Sequence, residues 1–556
     1  MPGKKLLAVV LIGALGVSAC GANDQKPSDA AAAKPDKGGT LRILSESRTI
    51  NFDPAKSQSL AITTLGLVHR RLTGWQNAVG QPAKVVPDLG DTGKTTDGGK
   101  TWTFVLQEGL KFSDGTPITS ADVKWGVERS FAPAFGGGLG YHKDLLGGAD
   151  YKGPFEGKEL DSIETPDAKT ITFKLTRPYG DWPWIASTPA FAPVPKGKGA
   201  EADYQEHAIA SGPYQIATYS KGVEVKLSRN PNWDGSKDQV RAGLPDDVVI
   251  QLGQDASVVS QRLAADSGDD QSAFGASFTS PAQLAQLQAN ASAKSRVVTS
   301  KSGAIAYLAL NTQKAPLNNP KVRQAFQYAV NKSAYQIASA GTAALAGDAA
   351  TTLITQGIEG REQFDLYPSK PEGDPEKAKA LLAEAGFANG LDGLSLVLNK
   401  SNNQTEKAEA IQAALARANI KVNIRSLEAD AFETETNLSD NPTYDLTLSS
   451  WQPDFPSANA NIQPLFATSE IGKGGYNISR YSNPEVDRLI EEAQSTVDAT
   501  EAGKKWAAID KRILEDSPVV PLIYTRNSFI HGSKVGNFFI ADFPAYPNYL
   551  QVGITK

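Results

Sequence analysis

VPDLGDTGKTTDGGKTWTFVLQEGLKFSDGTPITSADVKWGVERS runs from Val86 to Ser130. Trp102, Phe104 and Leu106 alternate with Thr101, Thr103 and Val105, the period of a strand buried on one face. Lys111-Phe112-Ser113-Asp114-Gly115-Thr116-Pro117 follows, and a helix then opens at Thr119 or Ser120. Asp122 falls in its first turn, near the positive end of the helix dipole. Strand and helix signals inside one stretch predict a mixed α/β chain.

The rest of the chain repeats both periods. Ile171, Phe173 and Leu175 alternate like a half-buried strand, as do Val223, Val225 and Leu227. Helices are announced by a capping residue followed by proline: Asn319-Pro320, Asp374-Pro375 and Asn483-Pro484. Behind these starts, Val322, Ala325, Phe326, Ala329 and Val330 share one face. So do Ala378, Leu381, Leu382 and Ala385, and likewise Val486, Leu489, Ile490 and Ala493. Gly386 closes the second of these helices.

The start of the chain reads as an export signal over residues 1–19. Lys4 and Lys5 precede an apolar run from Leu6 to Val17, too short to span a bilayer comfortably. An ordinary secretory signal ending on a chance cysteine is the plainer reading. The sharper one is that Val17-Ser18-Ala19-Cys20 resembles the lipobox of bacterial lipoproteins. In that family the cysteine thiol carries a diacylglyceryl group, which implies a lipid anchor at Cys20. It is the only cysteine, so no disulfide can form. Residues 20–38, poor in large apolar side chains, read as a flexible tether.

Composition narrows the function. The net charge is −5 with no basic run, which argues against a nucleic-acid partner. His69, His142, His207 and His531 show no metal-ligand spacing. No phosphate-binding loop, nucleophile elbow or zinc-protease motif is present, so no cofactor, metal or catalytic residue is expected. One stretch stands apart, from Asp445 to Phe466. There Leu446–Leu448 reads as a strand leading into Trp451, Asp454 and Phe455, with Pro453 and Pro456 on either side of the acid. An aspartate so placed is a turn former, or else an acid held on a stiff strand-end loop where it could receive a ligand cation.

From about Gly39 to its end the chain resembles the solute-binding proteins of ABC importers, in the large oligopeptide- and dipeptide-binding group. The Val86–Ser130 stretch carries the resemblance. ASGPYQIATY, LALNTQKAPLNNPKVRQAFQYAVNK, DPEKAKALLAEAGF, YSNPEVDRLIEEA and ILEDSPVVPLIY follow in the family's order. The resemblance implies a two-lobed α/β fold of the periplasmic-binding type, with an extra domain inserted in the first lobe. The base of lobe one would take residues 39–73, 196–300 and 525–556. The extra domain would take 74–195 and lobe two 301–524, with crossings near 301–311 and 519–524.

It also implies a function. Two lobes close on a solute, the closed form delivers it to a membrane permease driven by ATPase subunits, and the receptor is a monomer on the outer face of the membrane. Trp451-Gln452-Pro453-Asp454 matches the family's spacing, which gives Asp454 the peptide's α-ammonium and Trp451 an adjoining pocket, beside Phe455. After Asp454 the sequence leaves the family pattern, which leaves ligand length and class open. The early loop from Asp53 offers Gln58 and Ser59. Tyr141, Tyr307 and Tyr524 match aromatic positions near the cleft, where a packed ring with a satisfied hydroxyl is the competing reading. Oligo- or dipeptides are the expected cargo. An oligosaccharide, opine, glutathione or metal chelate fits the same fold, and a secreted hydrolase with two cleft carboxylates is the reading from another class.

Overall fold

Two five-stranded sheets organise the chain in the computed structural model, which describes residues 34–556 apart from 137, 149, 302 and 401–403. The export signal, Cys20 and the first part of the tether lie outside the described residues. The first sheet has the order Ala273–Gly275, Thr40–Leu44, Asp247–Gln251, Glu224–Arg229, Tyr214–Ser220. Thr40–Leu44 runs parallel to both neighbours, and the remaining pairs are antiparallel. The second sheet has the order Ile420–Leu427, Leu391–Asn399, Leu446–Trp451, Ile305–Leu310, Val519–Tyr524. Leu391–Asn399 is parallel to its neighbours, while Ile305–Leu310 is antiparallel to both of its own.

Two short segments join the sheets side by side. Val297–Thr299 pairs with Ser528–Ile530, and the ladder continues through Ser300 N–H to Asn527 O (2.9 Å) and Thr525 N–H to Ala304 O (2.8 Å). The passage therefore falls at residues 300–304 and 525–527. Most of 301–311 and all of 519–524, expected from the sequence as crossings, are strands of the second sheet. Their unbroken burial explains this, because a strand covered on both faces reads as a continuous apolar run.

Local signals translate directly. Thr101–Val105 pairs with Thr170–Lys174, and Trp102, Phe104, Ile171 and Phe173 point into the core. Val223 departs from the expected alternation: it sits in the turn before Glu224–Arg229 and is 63% exposed. The helix Ser120–Arg129 opens on Thr119, whose N–H and hydroxyl both donate to the Asp122 carboxylate (2.8 and 2.7 Å). The helices Pro320–Ala329, Pro375–Glu384 and Pro484–Gln494 begin on Asn319, Asp374 and Asn483, each accepting a backbone N–H.

A buried ionic cluster joins Arg70 and the end of the strand Gln81–Pro87 to the segment between Glu224–Arg229 and Asp247–Gln251. The Asp88 carboxylate, fully enclosed, accepts from Arg70 Nε (2.8 Å) and from both terminal nitrogens of Arg241 (3.0 Å each). Asp238 adds a second carboxylate to Arg241. Among the described residues no helix is long and apolar enough to cross a membrane.

Candidate functional site

The strand Leu446–Trp451 positions the site. It pairs along its whole length with Ile305–Leu310, but with Leu391–Asn399 only at Leu446 and Thr447. From Leu448 onward its other edge carries no strand among the described residues. Alternation then sorts its side chains. Trp451 falls on the same face as Ile305, and Ser450 on the same face as Ala306.

On the Trp451 face the chain turns at Pro453 and presents Asp454. Its carboxylate accepts a 2.6 Å hydrogen bond from the Tyr141 hydroxyl, and the Tyr141 ring meets Phe455 edge-on at 5.2 Å. Burial raises the Asp454 carboxyl above the usual carboxylate range, and the tyrosine hydroxyl partly offsets this. The Trp451 ring packs on Tyr476 at 5.0 Å, and its Nε1–H donates to Ala460 O (2.7 Å). The same loop docks further along. Ser457 donates to Asp181 (2.6 Å), Asn459 to the Tyr179 hydroxyl (2.5 Å), and Gly180 N–H to Gln494 O (2.6 Å). Asp181, like Asp454, is raised by burial.

The structure thus brings Asp454, Phe455 and Tyr141 together, with Trp451 beside them. Tyr307 lies on the neighbouring strand with its ring buried, and burial pushes its hydroxyl up to about 12. Tyr524 is enclosed as well. Its hydroxyl accepts from the N–H groups of Thr351 and Thr352 (3.3 and 3.0 Å) and donates to Thr352 O (3.1 Å). Gln58 is exposed, and Ser59 is held in a local turn by its N–H bond to Ser57 Oγ (3.0 Å).

The other face of the same strands opens into a cavity of about 410 Å³ where the two sheets meet. Ser450, Gln452, Ala306 and Ile523 line it from the second sheet, and Thr525 and Asn527 from the connecting segments. Phe278 and Tyr546 close the first-sheet side, while Gln404 and Lys407 enter from the helix Gln404–Arg417. The residues named from the sequence do not line it. In three cases they sit one position away along a strand: Tyr307 beside Ala306, Trp451 beside Ser450 and Gln452, and Tyr524 beside Ile523 and Thr525. Ser449, paired with Tyr307, also lines the cavity. No sequence signal marks Lys407, Phe278 or Tyr546, which come from distant elements. Among the described residues no group of three or more histidine, cysteine or acidic side chains could hold a metal ion.

Comparison with known proteins gives this arrangement a context. Residues 84–473 match the family described as bacterial extracellular solute-binding proteins, family 5 Middle. The chain is 27% identical over 462 residues to the glutathione-binding protein GsiB of Escherichia coli (strain K12), covering 81% of this chain and 83% of that one. Among solved structures, clavulanic acid biosynthesis oligopeptide binding protein 2 superposes with a TM-score of 0.86 at 30% identity, covering 95% and 97% of the two chains. The fold is also that of the periplasmic binding protein DppA from Helicobacter pylori in complex with the peptide STSA. That match has a TM-score of 0.71 at 23% identity, with 94% and 99% covered.

Proposed function

The chain belongs to the bacterial extracellular solute-binding proteins of family 5, and from that premise we propose that it is the receptor of an ABC importer that captures peptides between two lobes. The lobes are built on the two sheets, with residues 74–195 as an extra domain on the first. The receptor works outside the cytoplasm as a monomer held by lipid at Cys20, hands its cargo to a permease driven by ATPase subunits, and performs no catalysis.

The observation that carries this reading is the edge of the strand beyond Thr447, unpaired among the described residues and lying beside a cavity walled by the second sheet, both connecting segments, and Phe278 and Tyr546. An extended peptide can add to such an edge through main-chain hydrogen bonds, which are indifferent to sequence, while side chains occupy the space alongside. About 410 Å³ is within the range of small-ligand sites. A solute touching both walls is held only when they approach, so its binding favours the closed arrangement.

Asp454 receives the peptide's α-ammonium at the end of this edge. Its carboxylate is removed from water, and the Tyr141 hydroxyl is its one side-chain donor among the described residues. A cation brought by the ligand would compensate the buried charge far better than one hydroxyl does. The names of relatives that bind glutathione and oligopeptides agree with a ligand bearing a free amine.

Native mass spectrometry of protein purified from rich medium names the cargo, and a co-purified peptide is the expected result. Calorimetry with a free-amine peptide and its N-acetylated twin then tests Asp454. The free amine should bind at least about tenfold more tightly, in line with a charge-assisted hydrogen bond. Equal affinities remove Asp454 from the site.

A further inference from the structure

Two parts of the chain meet through acids that no base neutralises. On one side stand the helix Tyr141–Leu145 and the stretch from Arg177 to Asp181. On the other stand the loop from Asp454 to Asn459 and the end of the helix Pro484–Gln494. The contacts are reciprocal. The Tyr141 hydroxyl donates to the Asp454 carboxylate, and in the opposite direction the Ser457 hydroxyl donates to the Asp181 carboxylate (2.6 Å each). Asn459 donates to the Tyr179 hydroxyl (2.5 Å) and accepts from the Gln494 amide (3.1 Å). Each side thus contributes one half-buried carboxylate and a hydroxyl for the other's.

The charges around the two acids are one-sided. The Arg177 guanidinium goes to the Gln494 side-chain oxygen (2.8 Å) and over the Tyr179 ring (5.5 Å). Lys143 extends over the Phe131 ring (5.9 Å), and Lys505 reaches Thr496 (2.9 Å). The remaining ionisable neighbours are acidic. Tyr179 lies beside Asp181, Glu470 faces Tyr141 and Asp144, and Tyr476 faces Asp454, Glu433 and Glu470. Burial raises both Asp181 and Asp454 above the usual carboxylate range, and their hydrogen bonds only partly offset this.

We propose that this interface is an acid-strengthened latch, in which Asp181 and Asp454 hold the two sides together when protonated and release them when ionised. Once the sides part, both acids meet water and ionise near pH 4, as free carboxyls do. Joined, they keep their protons to higher pH. The joined form therefore binds more protons, is favoured in acid, and loses ground as pH rises above about 4. A ligand ammonium at Asp454 takes the place of one proton, so cargo holds the latch where acid does not. This rests on the reading of the chain as a receptor that closes on a cationic ligand.

Small-angle X-ray scattering of ligand-free protein between pH 4 and pH 8 reads the latch. The ratio of compact to extended particles should fall by about tenfold or more across this range, the effect of a one-unit difference at a single acid. Asp181→Asn combined with Asp454→Asn keeps the side-chain shapes and removes both titrations, so the double variant should give one ratio throughout. Asp181→Asn alone, the milder change, should shrink the response without abolishing it. Glu470→Gln, at the border of the interface, should respond as wild type does. A wild-type ratio independent of pH, a full response in either Asp181 variant, or its loss in Glu470→Gln overturns the latch and leaves the receptor reading intact. A free-amine peptide should keep wild type compact at pH 8. If the pH response stands and the peptide has no such effect, the ligand role of Asp454 falls and the latch survives.

Discussion

The Tyr141 hydroxyl donates a 2.6 Å hydrogen bond to the Asp454 carboxylate across 313 residues of chain. It links the short helix Tyr141–Leu145 to the loop that leaves the second sheet, at the residue proposed to receive the ligand's ammonium.

Tyr141→Phe removes that donor and leaves a buried carboxylate without it. The closed arrangement should lose about 1–3 kcal/mol, the cost of an unsatisfied buried polar group. Ligand-free protein should then scatter X-rays as a more extended particle, and added peptide should restore the compact form. A scattering curve unchanged from wild type would show that the contact does not hold the two parts together.

Gly180 tests the same docking from the backbone. A Cβ placed there would lie 2.0 Å from the Thr496 carbonyl oxygen, and the Gly180 N–H is bonded to Gln494 O. Gly180→Val should therefore push the Tyr179–Asp181 segment off the end of the helix Pro484–Gln494 and weaken peptide binding by about tenfold, roughly 1.4 kcal/mol of closure. Calorimetry measures this. An affinity within twofold of wild type would mean that binding does not need this approach.

Tyr524 has a different role, for its hydroxyl organises the Thr351–Thr352 turn and its ring lies under Arg361. Tyr524→Phe should cost about 1–3 kcal/mol in urea unfolding, because two backbone N–H groups lose their acceptor. Peptide affinity should stay within twofold of wild type. A large loss of affinity at unchanged stability would instead place Tyr524 against the ligand.

Asp510 sets a pH dependence. Burial pushes its carboxyl up to about 7, against the N–H groups of Leu353 and Ile354 and the charge of Arg361, which act to lower it. A carboxyl whose folded value lies above its unfolded one binds more protons in the native state. Its contribution is thus most favourable below about pH 4 and is lost progressively as pH rises to about 7. Asp510→Asn lacks this titration. Relative to wild type the variant should gain stability between pH 4 and pH 7, by a few kcal/mol in all. Denaturant midpoints that differ by the same amount at both ends of that range would rule out titration of Asp510.

Much of the architecture was legible in short stretches. Asn319, Asp374 and Asn483 start their helices because a side-chain acceptor followed by proline suits a helix N-terminus whatever surrounds it. Trp102 and Phe104 face the core because a strand's period is carried by its own residues. The motif around Trp451 sits at the end of the strand Leu446–Trp451, as its short apolar run Leu446–Leu448 announces. Val223 escaped its pattern because alternation does not say where a strand ends.

What only the tertiary structure decided is which side of a strand becomes a cavity wall and what stands opposite it. Sequence spacing brings out Tyr307, Trp451 and Tyr524 equally with their neighbours. Packing around the second sheet puts Ala306, Ser450 and Ile523 in the wall of the cavity and leaves Tyr307, Trp451 and Tyr524 out of it. Lys407 and Phe278 carry no local mark, and only folding brings both to the wall of one cavity. Local hydrogen bonding and side-chain period act over a few residues and are written in the chain. The contact between Tyr141 and Asp454 joins groups 313 residues apart, so only folding brings them within reach of one another.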